Sequence, residues 1–375
     1  MDVDVDNKAS ARRYSVGTEQ LIVRKDNIEI RYPHEDGLVK DWDAVESLWS
    51  FGMLNRLHED PKEHPVLMVE PSYNTRENRE KLTELMFEKY EVPALFVSKD
   101  AVLSCFASGR SSGLVLDSGG GKTSVVPVYD GYALQQSIVR SHLAGNRLDL
   151  ELQEQLRQRH PDSPVQPAYL TTKSDVGGGK FKVTLHQFPL THPSYVDYCT
   201  RDIISDIRQS ICTVSPSRFD ADANQMIPST PYELPDGKVI GVGVERLQVP
   251  ECMFNPAFLS PLDVDKDRHM SSIQDMVVES VNLCDTDVRR DLCSGVIVTG
   301  GNTLYSGFSE RLTEELNAQI AQKVKIVSSN NAIERKCGAW IGGSILGSLG
   351  TFQQMWMSKA EYEERGKSLV ERKCP

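Results

Sequence analysis

The stretch LVLDSGGGKTSVVPVYDG, residues 114–131, decides how the rest of the chain is read. An apolar run, Leu114-Val115-Leu116, stops at Asp117-Ser118. Three glycines follow, Gly119 to Gly121, then a second β-branched run around Val125, Val126 and Val128, then an Asp130-Gly131 turn. This is the pattern of two strands joined by a glycine turn. Glycines let backbone N–H groups approach a ligand closely, and successive N–H groups in such a turn form an anion-binding concavity. Phosphate is the expected guest. A plain hairpin tip is the alternative, and this stretch alone leaves both open.

GGGKT also looks like the end of a P-loop, but the residues exclude one. The pattern requires Gly five positions before Gly121, where this chain has Leu116. A P-loop also opens a helix, whereas Thr123 leads into a second strand, so Lys122 is not read as a P-loop lysine.

With 39% hydrophobic and 25% charged residues, the 375-residue chain has an ordinary globular balance and length enough for two large domains. A net charge of −11 argues against wholesale nucleic-acid binding through a basic face. The eight cysteines form no CxxC pair and mostly sit in apolar surroundings. Buried, reduced thiols in the cytosol or nucleus are therefore expected. No apolar run approaches the roughly 20 residues that span a bilayer. The acidic Met1–Asp6 start is unlike a signal peptide.

In chain order, residues 1–20 are expected to be a disordered leader. Leu21-Ile22-Val23 and Ile28-Glu29-Ile30 read as short strands. Asp41 caps a helix carrying Val45, Leu48, Trp49 and Met53. A strand covers Val66 to Val69, and Asn74 with Glu77 forms a capping box for a helix through Leu82 and Met86. A strand at Ala94 to Val97 and a helix from Asp100 to Ser108 precede the hairpin, and a third strand runs from Tyr132 to Val139. Residues 147–158 form a polar helix. A second GGGK, Gly177 to Lys180, reads as a turn between surface strands within a Pro- and Gly-rich stretch, 159–196. Ile203 to Cys212 is a short helix, residues 213–231 a loop, and strands follow near Val239 and Val244. Val296-Ile297-Val298 is a buried strand ending in Thr299-Gly300-Gly301-Asn302. A helix with Phe308, Leu312 and Leu316, a strand at Val324 to Val327 and a last helix from about Glu334 through Gly342-Gly343-Ser344 complete an α/β fold with a mixed sheet. Two distant strands thus end in glycine clusters. Facing one another across a cleft, their turns would hold one nucleotide from two sides, with ligand beyond the strand carboxyl ends. A β-branched side chain at Gly301 would then block that approach.

At this point the sequence resembles a family. EHPVL (63–67), REKL (79–82), AVLS (101–104), the hairpin itself, YELPDG (232–237), VTGG (298–301), ERK (334–336), WIGGSILGSLGTFQQMWMSKAEYEERG (340–366) and ERKCP (371–375) resemble actin, and within that family the nuclear actin-related protein 4 class. The resemblance covers roughly residues 27–158 and 197–375. It implies an actin-like ATPase fold of two lobes around a nucleotide cleft: residues 21–107 plus 338–375 as the small lobe, and 108–337 as the large lobe, with an outer subdomain at about 146–262. It implies ATP as cofactor, weakly held at most, with Mg or Ca only alongside it. The matching nucleotide residues are Ser118, Gly119, Gly120, Gly121, Gly145, Arg208, Gln209, Gly300, Gly301, Asn302, Tyr305 and Lys336.

The departures bear on activity. Hydrolysis needs a water placed in line with the γ-phosphate and a metal that neutralises developing charge. Actin's water-handling glutamine, aspartate and histidine are replaced here by Asp100, Gly120 and Ser124. No efficient ATPase, no catalytic residue and no metal site of the chain's own are expected. The Asp-x-Gly-[Ser/Thr] loop that opens actin-like chains has no counterpart, which reads as a start at an internal methionine, a truncated gene model or a short isoform, with the N-terminal strands missing. The resemblance implies a nuclear scaffold subunit, with some cytoplasmic presence, of chromatin-remodelling and histone-acetyltransferase complexes, serving transcription regulation and DNA repair. The partners it implies are actin, the helicase-SANT-associated helix of a remodelling ATPase, other complex subunits and histones, with no membrane. A polymerising cytoskeletal ATPase is the alternative, disfavoured by the site changes and by the lack of an apolar filament plug. A sugar-kinase-like phosphotransferase shares the core but not YELPDG or WIGGSIL. The expected partner groove lies between Phe106, Ala107, Ser108 and Gly109 on one side and Ile345, Leu346, Leu349 and Thr351 on the other.

Overall fold

The computed structural model describes residues 13–175, 181–220, 227–262, 265–266 and 268–375. Leader residues 1–12 and the second GGGK therefore lie outside the described residues, although the strands flanking that GGGK, Thr171–Asp175 and Phe181–Leu185, do pair.

The hairpin forms as its pattern requires. Gly113–Ser118 runs antiparallel to Thr123–Tyr129, with Asp117 opposite Ser124. On its other side Gly113–Ser118 pairs in parallel with Val296–Thr299, setting Leu114 beside Val296 and Asp117 beside Thr299. Ile326–Val327 extends the sheet beyond Val296–Thr299, and Tyr132–Ala133 and Val139–Ser141 both pair with Thr123–Tyr129. Side chains alternate across a strand, and here both faces are buried. Leu114, Leu116, Val125, Val296 and Val298 enter the large-lobe core with Leu148, Met276 and Phe308. Val115, Val126, Val128 and Ile297 meet Ala101, Val102 and Cys105 of the Asp100–Ala107 helix.

That helix joins the lobes. Its Leu103 belongs to the small-lobe core with Met86, Phe96, Phe352 and Met357, around a sheet ordered Met357–Ser358, Ala94–Lys99, Val66–Glu70. It crosses the Gly338–Ser348 helix at backbone contact: a Cβ on Gly342 would lie 1.8 Å from the Leu103 carbonyl oxygen. Only glycine permits so close an approach. The C-terminus is fastened to the same lobe, where Arg79 bonds Glu70 (3.0 Å), Glu371 (2.7 Å) and the Cys374 carbonyl.

Several elements differ from expectation. Leu21–Val23 and Ile28–Ile30 are not strands. A helical turn, Thr18–Leu21, closes the leader earlier, and the following strap is held by scattered bonds: Asn27 N to Leu190 O, Ile30 N to Ser194 Oγ, and Tyr195 OH to Leu21 O. Thr75, not Asn74, caps the Arg76–Glu84 helix, because the Asn74 amide turns back to Glu70. The Tyr132–Val139 strand is broken by a 3-10 turn, Gln135–Ser137. The helix placed at 203–212 spans Pro193–Ile211, with His192 as cap and Pro193 in the first turn, where its missing N–H costs nothing. Val244 precedes a helix, Glu245–Glu251, rather than lying in a strand. The last helix is split at Cys337 into Ala332–Lys336 and Gly338–Ser348. Two further helices, Ile273–Leu283 and Thr286–Cys293, precede Val296–Thr299. Asp41 does cap its helix, accepting from Ala44 N at 3.2 Å. The cysteines are free thiols, six of them buried and Cys337 exposed. Among the described residues no helix is long and apolar enough to cross a membrane.

Candidate functional site

The two glycine clusters come together, but not across a cleft. They end adjacent parallel strands of one sheet, so they abut side by side at the carboxyl edge. The contact is tight. Gly300 has φ +93°, and a Cβ there would lie 2.2 Å from the Ser118 carbonyl oxygen and 2.5 Å from Asp117 Oδ1. Non-local pairing of residues 114–117 with 296–299 places them, which no local pattern reveals.

A chain of buried polar groups knits the clusters. Asn302 Nδ2 donates to Ser118 Oγ at 3.0 Å, Ser118 Oγ lies 2.8 Å from Thr123 Oγ1, and Thr123 donates to the Leu143 carbonyl at 2.7 Å. At the other end Arg208 donates to Asn302 Oδ1 (3.2 Å), the Tyr305 hydroxyl and Asp149 Oδ1 (2.5 Å). Ser118, Asn302, Tyr305, Arg208 and Asp149 are all buried. Burial pushes the Asp149 carboxyl up, against the pull of Arg208. Gly145 sits inside this network. Its N–H donates to the Gly119 carbonyl at 3.0 Å, and a Cβ on it would be 3.2 Å from Arg208 Nη2.

Gly120 and Gly121 lie exposed at the hairpin tip. Among the described residues no acceptor engages their amides, nor those of Gly301 and Asn302. These N–H groups, on two touching turns at a sheet's carboxyl edge, suit a phosphate. Lys336 is exposed, and its aliphatic stem covers Gly301, with Cε 3.5 Å from a Cβ built there. Gln209 is not brought to the site. It is exposed and bonded to Ser205 of its own helix.

The sequence reading missed Asp149 and Arg335. Arg335 clamps the second cluster from beneath, donating to the Thr303 and Ser329 carbonyls, while its own carbonyl accepts from Gly300 N and Thr299 Oγ1. A signal for Asp149 existed: a buried arginine demands a carboxylate. The Asp100 carboxylate accepts from Ser72 N (3.0 Å), Ser72 Oγ (2.6 Å) and Ala101 N (2.8 Å), while Ser124 is buried within the sheet. Among the described residues no three His, Cys, Asp or Glu side chains converge to hold a metal ion by themselves.

The expected groove is present in part. Phe106, Gly109, Ile345, Leu346 and Leu349 line one hollow of about 240 Å³, together with Arg110 and Ser111. Ile345 is 40% and Leu349 47% exposed, while Leu346 is core. Leu349 has left the helix and is its C-cap. Ala107 and Ser108 open instead onto a second hollow with Gly338 and Ile341, and Thr351 lines neither.

The actin family model matches residues 3–375. Proteins called actin-related protein 4 from Oryza sativa subsp. indica and subsp. japonica are each 45% identical over 379 residues, covering 100% of this chain and 85% of the relative. Actin-related protein 4 of Arabidopsis thaliana is 43% identical over 371 residues, covering 97% and 84%. An actin-like two-lobe fold, matching sequence from end to end and the abutting glycine turns agree: the chain belongs to the actin family, among relatives called actin-related protein 4.

Proposed function

We propose that this protein is a nuclear scaffold subunit of chromatin-remodelling and histone-acetyltransferase complexes, acting in transcription regulation and DNA repair, and that it binds ATP without hydrolysing it efficiently. Its partners are an amphipathic helix of the helicase-SANT-associated type, actin, other subunits and histones. The observation that carries the reading is the open apolar hollow between the Asp100–Ala107 and Gly338–Ser348 helices, where Ile345 and Leu349 are exposed beside Phe106. A helix laid in that hollow would bury its apolar stripe on them.

Leu349 gives the test. Leu349→Asp is expected to abolish co-purification with such a helix while shifting the thermal midpoint little, because the side chain is half exposed. Leu346→Asp, by contrast, buries an unpaired charge and is expected to unfold the small lobe. A folded Leu349→Asp protein that still holds the helix would exclude the groove.

The second part of the reading concerns hydrolysis. Asp100, Gly120 and Ser124 stand where actin has its water-handling glutamine, aspartate and histidine, with Asp100 Oδ1 held by Ser72 and Ala101 and Ser124 buried in the sheet. Loss of one positioned group commonly lowers turnover by about 10²–10³. The purified protein is accordingly expected to release phosphate from ATP at least roughly a hundredfold more slowly than polymerising actin in the same Mg²⁺ buffer. Equal turnover would overturn this.

A further inference from the structure

Lys122 closes the glycine turn, and its environment is unusual for a lysine. The ammonium is shut off from solvent and makes no hydrogen bond. It lies 3.7 Å from Asp100 Oδ2, an ionic separation too long for a hydrogen bond, and 4.0 Å from the centre of the Tyr73 ring. The same ring carries the Arg140 guanidinium at 4.3 Å. The lysine stem is held as well, since its Cδ and Cε would lie 3.1 Å from a Cβ on Gly37. Asp117 is the second carboxylate in this pocket. Burial and the Asp100 charge push it up to about 6, and the Lys122 charge pulls it back. Two carboxylates at the foot of the phosphate turn thus share one tethered cation.

We propose that Lys122 is the counter-cation of this site, so that a phosphate-bearing ligand binds at the Gly119–Gly121 turn without a divalent metal ion. The proposal rests on the nucleotide reading given above and adds how charge is balanced there. A divalent ion seated between Asp100 and Asp117 would lie against a fixed ammonium, a like-charge contact in a poorly solvated place. The lysine offsets one of those two negative charges in place, and among the described residues no three His, Cys, Asp or Glu side chains converge to hold a metal ion. In polyphosphate sites generally, bound cations set the local charge, and a fixed ammonium supplies part of that field without exchange. The cation–π contact with Tyr73 helps hold the ammonium where it makes no hydrogen bond.

The test uses the whole chain and has two arms. The first is ATP affinity in excess EDTA and in Mg²⁺. The parent is expected to bind equally within threefold in both. Lys122→Met, which keeps length but removes charge, should bind at least tenfold more weakly in EDTA and regain affinity in Mg²⁺. Lys122→Arg should stay indifferent to EDTA, and it serves if the methionine variant folds poorly. The second arm needs no nucleotide: terbium luminescence excited through tyrosine. Lys122→Met should gain a saturable signal that Asp117→Asn removes, and the parent should show none sensitive to Asp117. A parent whose ATP affinity falls more than tenfold in EDTA overturns the proposal. So does a terbium signal in the parent that Asp117→Asn abolishes. If the parent binds ATP in neither buffer, the nucleotide reading itself fails and the terbium arm alone decides the role of Lys122. A gain in Lys122→Met then supports that role, and no difference from the parent ends it.

Discussion

Gly300→Val is expected to destabilise the protein by about 3–5 kcal/mol and to remove any ATP binding. Two effects add. The Gly300 backbone, at φ 93° and ψ 143°, occupies a region nearly closed to residues with a Cβ. The new Cβ would also sit 2.2 Å from the Ser118 carbonyl oxygen, so the strand ends at Ser118 and Thr299 must part. Parting them breaks the Asn302–Ser118 bond and pulls Thr299 from the Arg335 carbonyl. Gly121→Val is the comparison in the same motif: a Cβ there meets nothing within 4 Å, and its φ is not positive. It should leave the urea midpoint nearly unchanged. Gly301→Val, the substitution the sequence alone would choose, meets only the Lys336 stem at 3.5 Å and should be milder than Gly300→Val. Equal midpoints for Gly300→Val and Gly121→Val would mean that the two turns do not abut.

These glycines show what a sequence reveals and what it withholds. The hairpin was legible because period, composition and turn all lie within eighteen consecutive residues, and Val296–Thr299 because a short β-branched run ends at glycines. Their adjacency was not, since parallel pairing joins residues about 180 positions apart and leaves no local mark. The same holds for Arg208 with Asp149, which meet across two helices. Boundary errors have local causes. Asn74 and Thr75 are both good caps, and the choice fell to Thr75 because Asn74 is drawn to Glu70. Pro193 reads as a breaker yet starts a helix of 19 residues. In the groove, Ile345 and Leu349 are both exposed although Leu349 lies past the helix end, where helical spacing no longer applies, and that spacing could not show that Leu346 belongs to the core.

The closed polar chain also explains why Arg208 cannot be read simply as a ligand contact. Its Nε and Nη1 are engaged by Asp149, Asn302 and Tyr305 in the free protein, where they hold Asn302 in line with Ser118. A ligand reaching this side meets a preset loop rather than a loose cation.

Arg208→Ala is therefore expected to cost about 3–5 kcal/mol, and the cost should depend on pH in a stated direction. The substitution leaves Asp149 buried without its partner, and leaves Asn302 Oδ1 and the Tyr305 hydroxyl without their donor. Burial already holds the Asp149 carboxyl above its ordinary 3.8, and loss of the guanidinium raises it further. Folded Arg208→Ala protein then keeps a proton that the unfolded chain has released. Stability from that proton is complete below the unfolded value and is lost as pH rises through the folded one. The deficit against the parent should accordingly be smaller at pH 5 than at pH 8, measured as urea midpoints at the two pH values. Pairing the change with Asp149→Asn removes the stranded charge and should recover much of the loss at pH 8, leaving only the unpaired Tyr305 and Asn302 groups. A deficit equal at both pH values and untouched by Asp149→Asn would show that Asp149 is hydrated in the folded protein, and that the Arg208 network does not seal the site.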